Sequence, residues 1–80
     1  MLAVYVRPGC HLCDEAIGML REIDPEAAAG AEIIDIEEDD ELLRKYLELI
    51  PVITLDGKEI SRLEPEPESI RQALGAGRIR

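Results

Sequence analysis

The sequence is poor in several residue types, and each shortage narrows what the protein can be. It has no Phe or Trp, 1 His, 2 Cys, and only 9 Lys or Arg against 18 Asp or Glu. The net charge of −9 argues against a nucleic-acid partner, because binding phosphates requires clustered basic side chains. It argues equally against an anionic membrane surface. Since Tyr is the only aromatic residue, aliphatic side chains must form most of the interior.

Long apolar runs are also missing from the chain. No segment approaches the ~20 apolar residues of a membrane span, and the N-terminal residues lack the basic stretch and apolar core of a signal peptide. We therefore predict a cytoplasmic protein without a membrane partner. The length of 80 residues predicts a single domain spanning 1–80, and a small acidic chain without a large apolar patch is most simply a monomer.

What the sequence does contain is a concentrated motif, R-P-G-C-H-L-C, at Arg7–Cys13, which holds both cysteines and the histidine. An apolar strand pattern at 2–6 precedes the motif, and its Pro and Gly end that strand. A helical pattern over 11–23 follows it, with apolar residues on one face: Cys13, Ala16, Ile17, Leu20 and Ile23. A C-x-x-C pair at a strand-to-helix junction of a cytoplasmic protein predicts a redox-active dithiol.

The predicted helix gives the two thiols different roles. Cys10 lies at the helix N-terminus, where amides without intrahelical partners and the helix dipole stabilise a thiolate, so we predict that it is the exposed catalytic nucleophile. Cys13 lies one turn further along, on the apolar face. It is therefore predicted to be the partly buried resolving thiol, which attacks the mixed disulfide formed at Cys10. Arg7, the nearest obvious cation, is predicted to stabilise the thiolate or to pair with an anionic substrate, and His11 to tune the polarity of the site.

The cysteines have two alternative interpretations. They would be small buried hydrophobic residues if the motif were structural, but the Gly before Cys10 and the strand-to-helix position favour chemistry. They would be metal ligands if enough donors were present, but Cys10, His11 and Cys13 supply at most three, and a structural zinc site takes four. We therefore predict no metal site within one chain, whereas a cluster shared between two chains stays open.

The middle of the chain predicts one βαβ unit followed by a second helix. A strand over 31–36 is expected to pair in parallel with the first strand through a right-handed crossover. Residues 26–30 form a connector that is long enough for one more helical turn. The second helix is predicted over Asp40–Leu49, where the apolar residues again fall on one side.

The last third of the chain predicts a hairpin and a final helix. Strands over 51–55 and 58–63 are joined by Asp56-Gly57, a two-residue hairpin turn, and the second of them is expected at the edge of the sheet. The final helix is predicted over Pro67–Gly75, because Pro suits the first turn and Gly the end of a helix. A frayed tail at 77–80 follows. The complete order is β-α-β-α-β-β-α.

An acidic segment, defined as residues 35–41, separates the second strand from the second helix. All of its residues except Ile36 are Asp or Glu. We interpret it as a solvated loop and a helix N-terminus, where carboxylates are favourable. Asp40–Arg44 and Glu41–Lys45 have the i,i+4 spacing that predicts ion pairs along the second helix.

Three features of this chain occur together in one protein family. They are the motif at Arg7–Cys13, the order of elements, and Ile50-Pro51-Val52 at the start of the third strand. With them the chain resembles the glutaredoxins of the thioredoxin-fold superfamily over nearly its whole length. It is most similar to small bacterial glutaredoxin-like proteins that carry C-H-L-C near the N-terminus. The resemblance implies an α/β thioredoxin-like fold, with a four-stranded mixed sheet in the order 2-1-3-4 and helices on both faces.

The resemblance also implies where the rest of the site lies. The proline equivalent to Pro51 is cis in this superfamily and faces the C-x-x-C pair. We therefore expect a cis Ile50-Pro51 bond that exposes the backbone of Ile50 beside Cys10, where a substrate segment can pair with it. Arg7 occupies the position where glutaredoxins often carry a Lys that contacts the glutathione carboxylate. The expected substrate-binding residues are Arg7, His11, Leu12, Ile50 and Pro51.

These observations predict a thiol–disulfide oxidoreductase that needs no bound cofactor, with glutathione as a candidate co-substrate. His11 and Leu12 stand where glutaredoxins commonly have Pro and Tyr. Ser61–Glu64 reads S-R-L-E where many glutaredoxins have Gly-Gly and an acidic residue that hold the glutathione γ-glutamyl group. A protein disulfide and another low-molecular-weight thiol are therefore alternative substrates. The competing function is a non-catalytic binding module on the same scaffold, such as an iron–sulfur cluster carrier or a partner-docking domain.

Overall fold

The computed structural model describes residues 1–76, which form four strands and four α-helices. The strands are β1 (Leu2–Val6), β2 (Glu32–Asp35), β3 (Val52–Leu55) and β4 (Lys58–Ser61). The helices are α1 (His11–Ile23), α2 (Pro25–Ala29), α3 (Asp40–Tyr46) and α4 (Pro67–Ala76), and a short 3-10 helix covers Ile36–Glu38. None of these helices has the length and apolar character needed to cross a membrane. The predicted tail at 77–80 lies outside the described residues.

The sheet confirms the predicted fold. Its strand order is β2-β1-β3-β4, with β1 and β2 parallel and β3 antiparallel to both of its neighbours. Val4 of β1 lies between Ile33 of β2 and Ile53 of β3. β4 forms one edge of the sheet, as predicted, and Lys58 is exposed there.

The larger hydrophobic cluster lies between the sheet, α1 and α4, and we call it the α1/α4 core. Its buried members are Leu2, Val4, Ala16, Leu20, Ile53, Ile70 and Leu74. Alternation along β1 sends Leu2 and Val4 to this face, because successive side chains of a strand point to opposite sides. Cys13, Ala16 and Leu20 are all buried, and Ile17 and Ile23 pack against the core, so the predicted apolar face of α1 is confirmed.

A smaller cluster covers the opposite face of the sheet, and we call it the α3 core. Three of its residues are buried, Ile36, Tyr46 and Val52, and partly buried side chains from β1, α3 and the segment before β3 surround them. The rings of Tyr5 and Tyr46 have centroids 4.6 Å apart at an angle of 34°. Helices therefore pack on both faces of the sheet, as predicted.

One dipeptide, Asp24-Pro25, ends α1 and begins α2. Residues before a proline disfavour the helical conformation, and α1 accordingly ends at Ile23. Pro25 then occupies the first turn of α2, and the carboxylate of Asp24 accepts a hydrogen bond from the amide of Ala27 at 3.1 Å. The connector predicted at 26–30 is therefore mostly a helix.

Two helix ends differ from the prediction. α3 stops at Tyr46 rather than at Leu49, because the carbonyl of Tyr46 accepts hydrogen bonds from the amides of Leu49 at 2.8 Å and Ile50 at 3.1 Å, and Pro51 disfavours a helical Ile50. The last helix does not end at Gly75 but includes it and continues to Ala76.

The predicted ion pairs along α3 are not formed. Neither Asp40–Arg44 nor Glu41–Lys45 is among the salt bridges of residues 1–76. The ammonium of Lys45 instead lies 5.1 Å from the centroid of the Tyr46 ring, a cation–π distance. An exposed i,i+4 pair contributes little, so an aromatic ring within reach can compete for the lysine.

The hairpin turn forms at Asp56-Gly57 as predicted. Both residues have positive φ values, 54° and 82°, the combination that a type I′ turn requires and that Gly accepts without strain. β4 ends at Ser61 rather than at 63, because Leu63 adopts a φ of 59° and turns away from the sheet. The amide of Leu63 donates to the carbonyl of Leu49 at 2.9 Å, so the segment after β4 lies beside the segment before β3.

Candidate active site

The dithiol lies where β1 passes into α1, and both thiols are free. Gly9 has a φ of 78°, a value that favours glycine, and the turn that it makes brings the amide of Cys10 within 3.3 Å of the carbonyl of Arg7. Cys10 is the N-cap of α1, with extended backbone angles. Its Sγ accepts a hydrogen bond from the amide of Cys13 at 3.2 Å. The sulfur of Cys10 thus meets a first-turn amide that has no partner inside the helix.

The two thiols differ in exposure and in protonation. Cys10 is partly exposed, whereas the exposed fraction of Cys13 is 2%. The pKa of Cys13 is raised from its ordinary value of 9.0 to about 12, chiefly by burial and next by the hydrogen bond with the Cys10 side chain. A backbone hydrogen bond with Arg7 acts in the opposite direction, and the negative charges of Cys10 and Asp14 add to the increase. Cys13 therefore holds its proton at neutral pH in the reduced protein.

Several segments reach the same end of the sheet as the dithiol. β1 and β2 are parallel, so residues 7–10 and 36–38 leave the sheet next to each other. β3 is antiparallel to β1 and begins at this end, so Ile50-Pro51 enters the sheet there. The Ile50-Pro51 peptide bond is cis, which confirms the expectation from the resemblance. The fold therefore brings residues from three distant parts of the chain to one end of the sheet.

Arg7 forms an ion pair that the sequence analysis missed. Its Nε and Nη2 lie 2.8 Å and 2.7 Å from Oε2 of Glu37, and both side chains are 41% exposed. Glu37 belongs to the acidic segment, which we interpreted only as a solvated loop and helix start. The composition of that segment indicates a local excess of negative charge. Which of its carboxylates reaches Arg7 depends on the register between β1 and β2.

The other predicted site residues differ in accessibility. His11 is exposed at the first position of α1, and Leu12 is 39% exposed beside it. Ile50 is partly buried against the α3 core, and the side chain of Pro51 is fully buried. A partner bound at the dithiol would therefore contact the side chains of His11 and Leu12. It could contact Pro51 only through the backbone, because that side chain is buried. The roles of these residues stay predictions.

The arrangement of the two sulfurs suits thiol–disulfide exchange. Within residues 1–76, no group of three or more His, Cys, Asp and Glu side chains is placed to hold a metal ion. A partly exposed sulfur at a helix N-terminus is well placed to attack a disulfide, and a second sulfur one turn away can complete the exchange.

The fold occurs in several solved structures. The protein XcR50 from X. campestris matches with a TM-score of 0.80 and 28% identity, over 95% of this chain and 97% of that one. The protein Ne2328 from Nitrosomonas europaea matches with a TM-score of 0.75 and 32% identity, over 90% and 87%. A buckwheat glutaredoxin, solved as a complex with glutathione, matches with a TM-score of 0.57 and 17% identity, over 95% and 69%. At that identity, the buckwheat structure shows the fold alone.

Two further comparisons concern sequence. The search of curated proteins returned no match. The model of the family described as "Glutaredoxin-like domain (DUF836)" matches residues 1–75, which is nearly the whole chain and includes the dithiol, the acidic segment and the cis proline. This chain therefore belongs to the glutaredoxin-like family.

Proposed function

We propose that the protein is a thiol–disulfide oxidoreductase in which Cys10 attacks a substrate disulfide and Cys13 resolves the product. The observation that carries the proposal is the hydrogen bond of 3.2 Å from the Cys13 amide to Cys10 Sγ at the start of α1. That contact stabilises negative charge on the Cys10 sulfur. Burial of Cys13 beside it supports the division of roles between the two thiols.

The proposed reaction has two exchange steps. The Cys10 thiolate forms a bond to one sulfur of a substrate disulfide, and the other substrate sulfur leaves as a thiolate with the electron pair of the broken bond. Cys13 then loses its proton to solvent and attacks Cys10 Sγ, which releases the first substrate sulfur as a thiolate. The substrate is reduced by two electrons, and the protein is left with a Cys10–Cys13 disulfide. An external dithiol, or two molecules of a low-molecular-weight thiol, restores the reduced protein.

The protonation of Cys13 gives these steps an order. While Cys10 carries a negative charge, that charge and the hydrogen bond between the two side chains help to keep the proton on Cys13. Both effects end when Cys10 Sγ enters the mixed disulfide, because that sulfur is then neutral. The thiol of Cys13 therefore becomes easier to ionise only after there is a mixed disulfide to attack.

The proposed substrate is a protein disulfide or the mixed disulfide of a low-molecular-weight thiol such as glutathione. The proposed contacts with this substrate share one end of the sheet with Cys10. They are Arg7, His11, Leu12 and the Ile50-Pro51 backbone. No bound cofactor takes part in the exchange. The chemistry requires a reducing compartment such as the cytoplasm, where other thiols regenerate the dithiol.

The proposal is tested by reduction assays on the wild type, Cys10→Ser and Cys13→Ser. We expect Cys10→Ser to abolish reduction of both a protein disulfide and a glutathione mixed disulfide, because the attacking sulfur is gone. Cys13→Ser should form the mixed disulfide at Cys10 but should not release a protein substrate. Mass spectrometry of the intact protein detects this trapped species.

Alkylation provides a control that does not depend on substrate choice. At pH 7, iodoacetamide should alkylate Cys10 of the reduced wild type before Cys13, because Cys13 is buried and protonated. If Cys13 reacts first, or if Cys10→Ser still reduces a disulfide, the roles assigned to the two thiols are wrong. If the wild type reduces neither substrate, the oxidoreductase proposal fails.

A further inference from the structure

The acidic segment reaches the dithiol through one residue, Glu37. Oε2 of Glu37 accepts a hydrogen bond from Nε of Arg7 at 2.8 Å and lies 2.7 Å from Nη2 in the same ion pair. The hydrogen bond from Nε is charge-assisted, and such bonds are stronger than those between neutral groups. This contact joins residues 30 positions apart in the chain.

The backbone around Glu37 is fixed on both sides of the contact. Ile36, the preceding residue, is fully buried in the α3 core. The amide of Glu37 donates to the Asp35 carboxylate at 2.9 Å, which closes the turn into the 3-10 helix. Asp35 in turn lies opposite Val6 in the sheet. Glu37 is therefore held beside Arg7 by the fold.

Arg7 is itself part of the dithiol loop. Its carbonyl accepts a hydrogen bond from the amide of Cys10 at 3.3 Å. The guanidinium of Arg7 is the nearest cation to Cys10 along the chain, and it is paired with Glu37. The rest of the acidic segment flanks Glu37 in the sequence, in a chain whose net charge is −9. Electrostatics of this kind discriminate between charged partners.

We infer that Glu37 is a specificity-determining residue: by holding Arg7, it disfavours anionic thiols such as glutathione and directs the site to disulfides flanked by neutral or cationic groups. The inference rests on the proposed function. The exchange itself is unchanged, since Cys10 still bonds to a substrate sulfur and the other sulfur leaves as a thiolate. Glu37 changes only the free energy of bringing a charged substrate to Cys10.

The test uses two probes that differ in charge. One neutral peptide with a single cysteine is prepared as its mixed disulfide with glutathione, which is anionic, and with cysteamine, which is cationic. Second-order rate constants are measured in single-turnover experiments with the reduced protein. The ionic strength is kept near 0.01 M, where the Debye length is about 30 Å. Because the protein itself supplies the two electrons, no added reductant is needed.

Glu37→Gln should raise the rate constant for the glutathione probe roughly two- to fivefold, the range expected for releasing a half-exposed ion pair. It should lower the rate constant for the cysteamine probe, so the ratio of the two constants changes in favour of the anion. Glu38→Gln is the matched control, because it removes the same charge one residue away and forms no ion pair within residues 1–76. It should change the ratio less.

A third comparison separates the ion pair from the charge alone. In an Arg7→Gln background, Glu37→Gln should have only the small effect of Glu38→Gln, because no guanidinium is left to release. If Glu37→Gln and Glu38→Gln change the ratio equally in the wild type, the inference is overturned and the oxidoreductase proposal stands. If the reduced wild type reacts with neither probe faster than free cysteine does, the proposed function itself fails. Circular dichroism of each variant verifies that it is folded.

Discussion

The two faces of the sheet support different parts of the site. The α1/α4 core contains seven buried residues and carries the helix whose first turn holds Cys10 and Cys13. The α3 core contains three buried residues and carries Glu37, Ile50 and the start of β3. The two sulfurs thus lie on the better-packed face together with His11 and Leu12, whereas Ile50 lies against the smaller core.

This difference indicates that the two faces of the sheet contribute unequally to the free energy of unfolding. A chain of 80 residues buries only a modest core, and here most of it packs against the helix that contains Cys13. The α3 side has fewer buried residues and carries the half-exposed Arg7–Glu37 ion pair, which is a weak kind of contact. Substitutions there should change substrate preference without unfolding the protein, whereas substitutions under α1 should do the reverse.

The largest expected effect comes from truncating matched leucines on the two faces. Leu20→Ala, at a site that is 1% exposed in the α1/α4 core, should lower the free energy of unfolding by about 3 kcal/mol. Leu43→Ala, at a partly buried site against the α3 core, should lower it by about 1 kcal/mol, because less apolar surface is lost. Urea denaturation of the reduced proteins measures both values. Equal losses would show that the two faces do not differ as described.

A second test uses the buried thiol on the α1 side. The folded protein keeps the proton of Cys13 up to a pKa of about 12, whereas the unfolded chain loses it near the ordinary value of 9.0. The stabilisation is therefore complete below pH 9.0 and is lost as the pH rises towards 12. Over this window, the free energy of unfolding should fall by at most about 1.4 kcal/mol per pH unit from this group.

Other groups titrate in the same range, so the measured quantity is the difference between wild type and Cys13→Ser. Unfolding is followed by urea titration at several pH values, with a phosphine reductant present throughout. A constant difference between pH 8 and pH 11 would show that Cys13 ionises alike in the folded and unfolded states, and that its burial has no effect on its proton.

The smallest expected effect on stability belongs to the α3 side. The Arg7–Glu37 pair is 41% exposed on both partners, so its coupling energy in a double-mutant cycle should be only about 0.5 kcal/mol. The cycle uses Arg7→Gln, Glu37→Gln and the double variant, and the coupling should shrink as salt is added. A coupling above about 2 kcal/mol would mean that the pair is a structural support, contrary to the comparison of the two faces.

Much of the fold could be predicted from local patterns. The helical period alone placed Cys13, Ala16 and Leu20 on one buried face, and the Asp56-Gly57 dipeptide located the hairpin turn. The strand order and the cis bond before Pro51 came from family resemblance, because no local signal in this sequence specifies either. The predicted ends of α3 and α4 were wrong: α3 stops at Tyr46, where the chain turns before Pro51, and α4 includes Gly75 instead of ending there.

The site was less predictable because its contacts join distant residues. The sequence showed a cation at Arg7 and a run of carboxylates about 30 residues later, but the sheet register selects Glu37 among them. The i,i+4 rule, by contrast, predicted ion pairs on α3 that do not form. Exposed pairs of this kind are weak, and Lys45 instead lies over the ring of Tyr46. Local charge spacing was therefore a poor guide to the electrostatics of this site.

The hairpin at Asp56-Gly57 lies at the end of the sheet opposite the dithiol and offers a site for attachment to a surface. β1 runs for five residues, about 17 Å, between the hairpin end of the sheet and the dithiol end. A tether coupled to the exposed amine of Lys58, in a Lys45→Arg background, would mount the protein on an electrode with its thiols directed away from the support. The dithiol couple could then be measured by direct voltammetry, without any soluble partner.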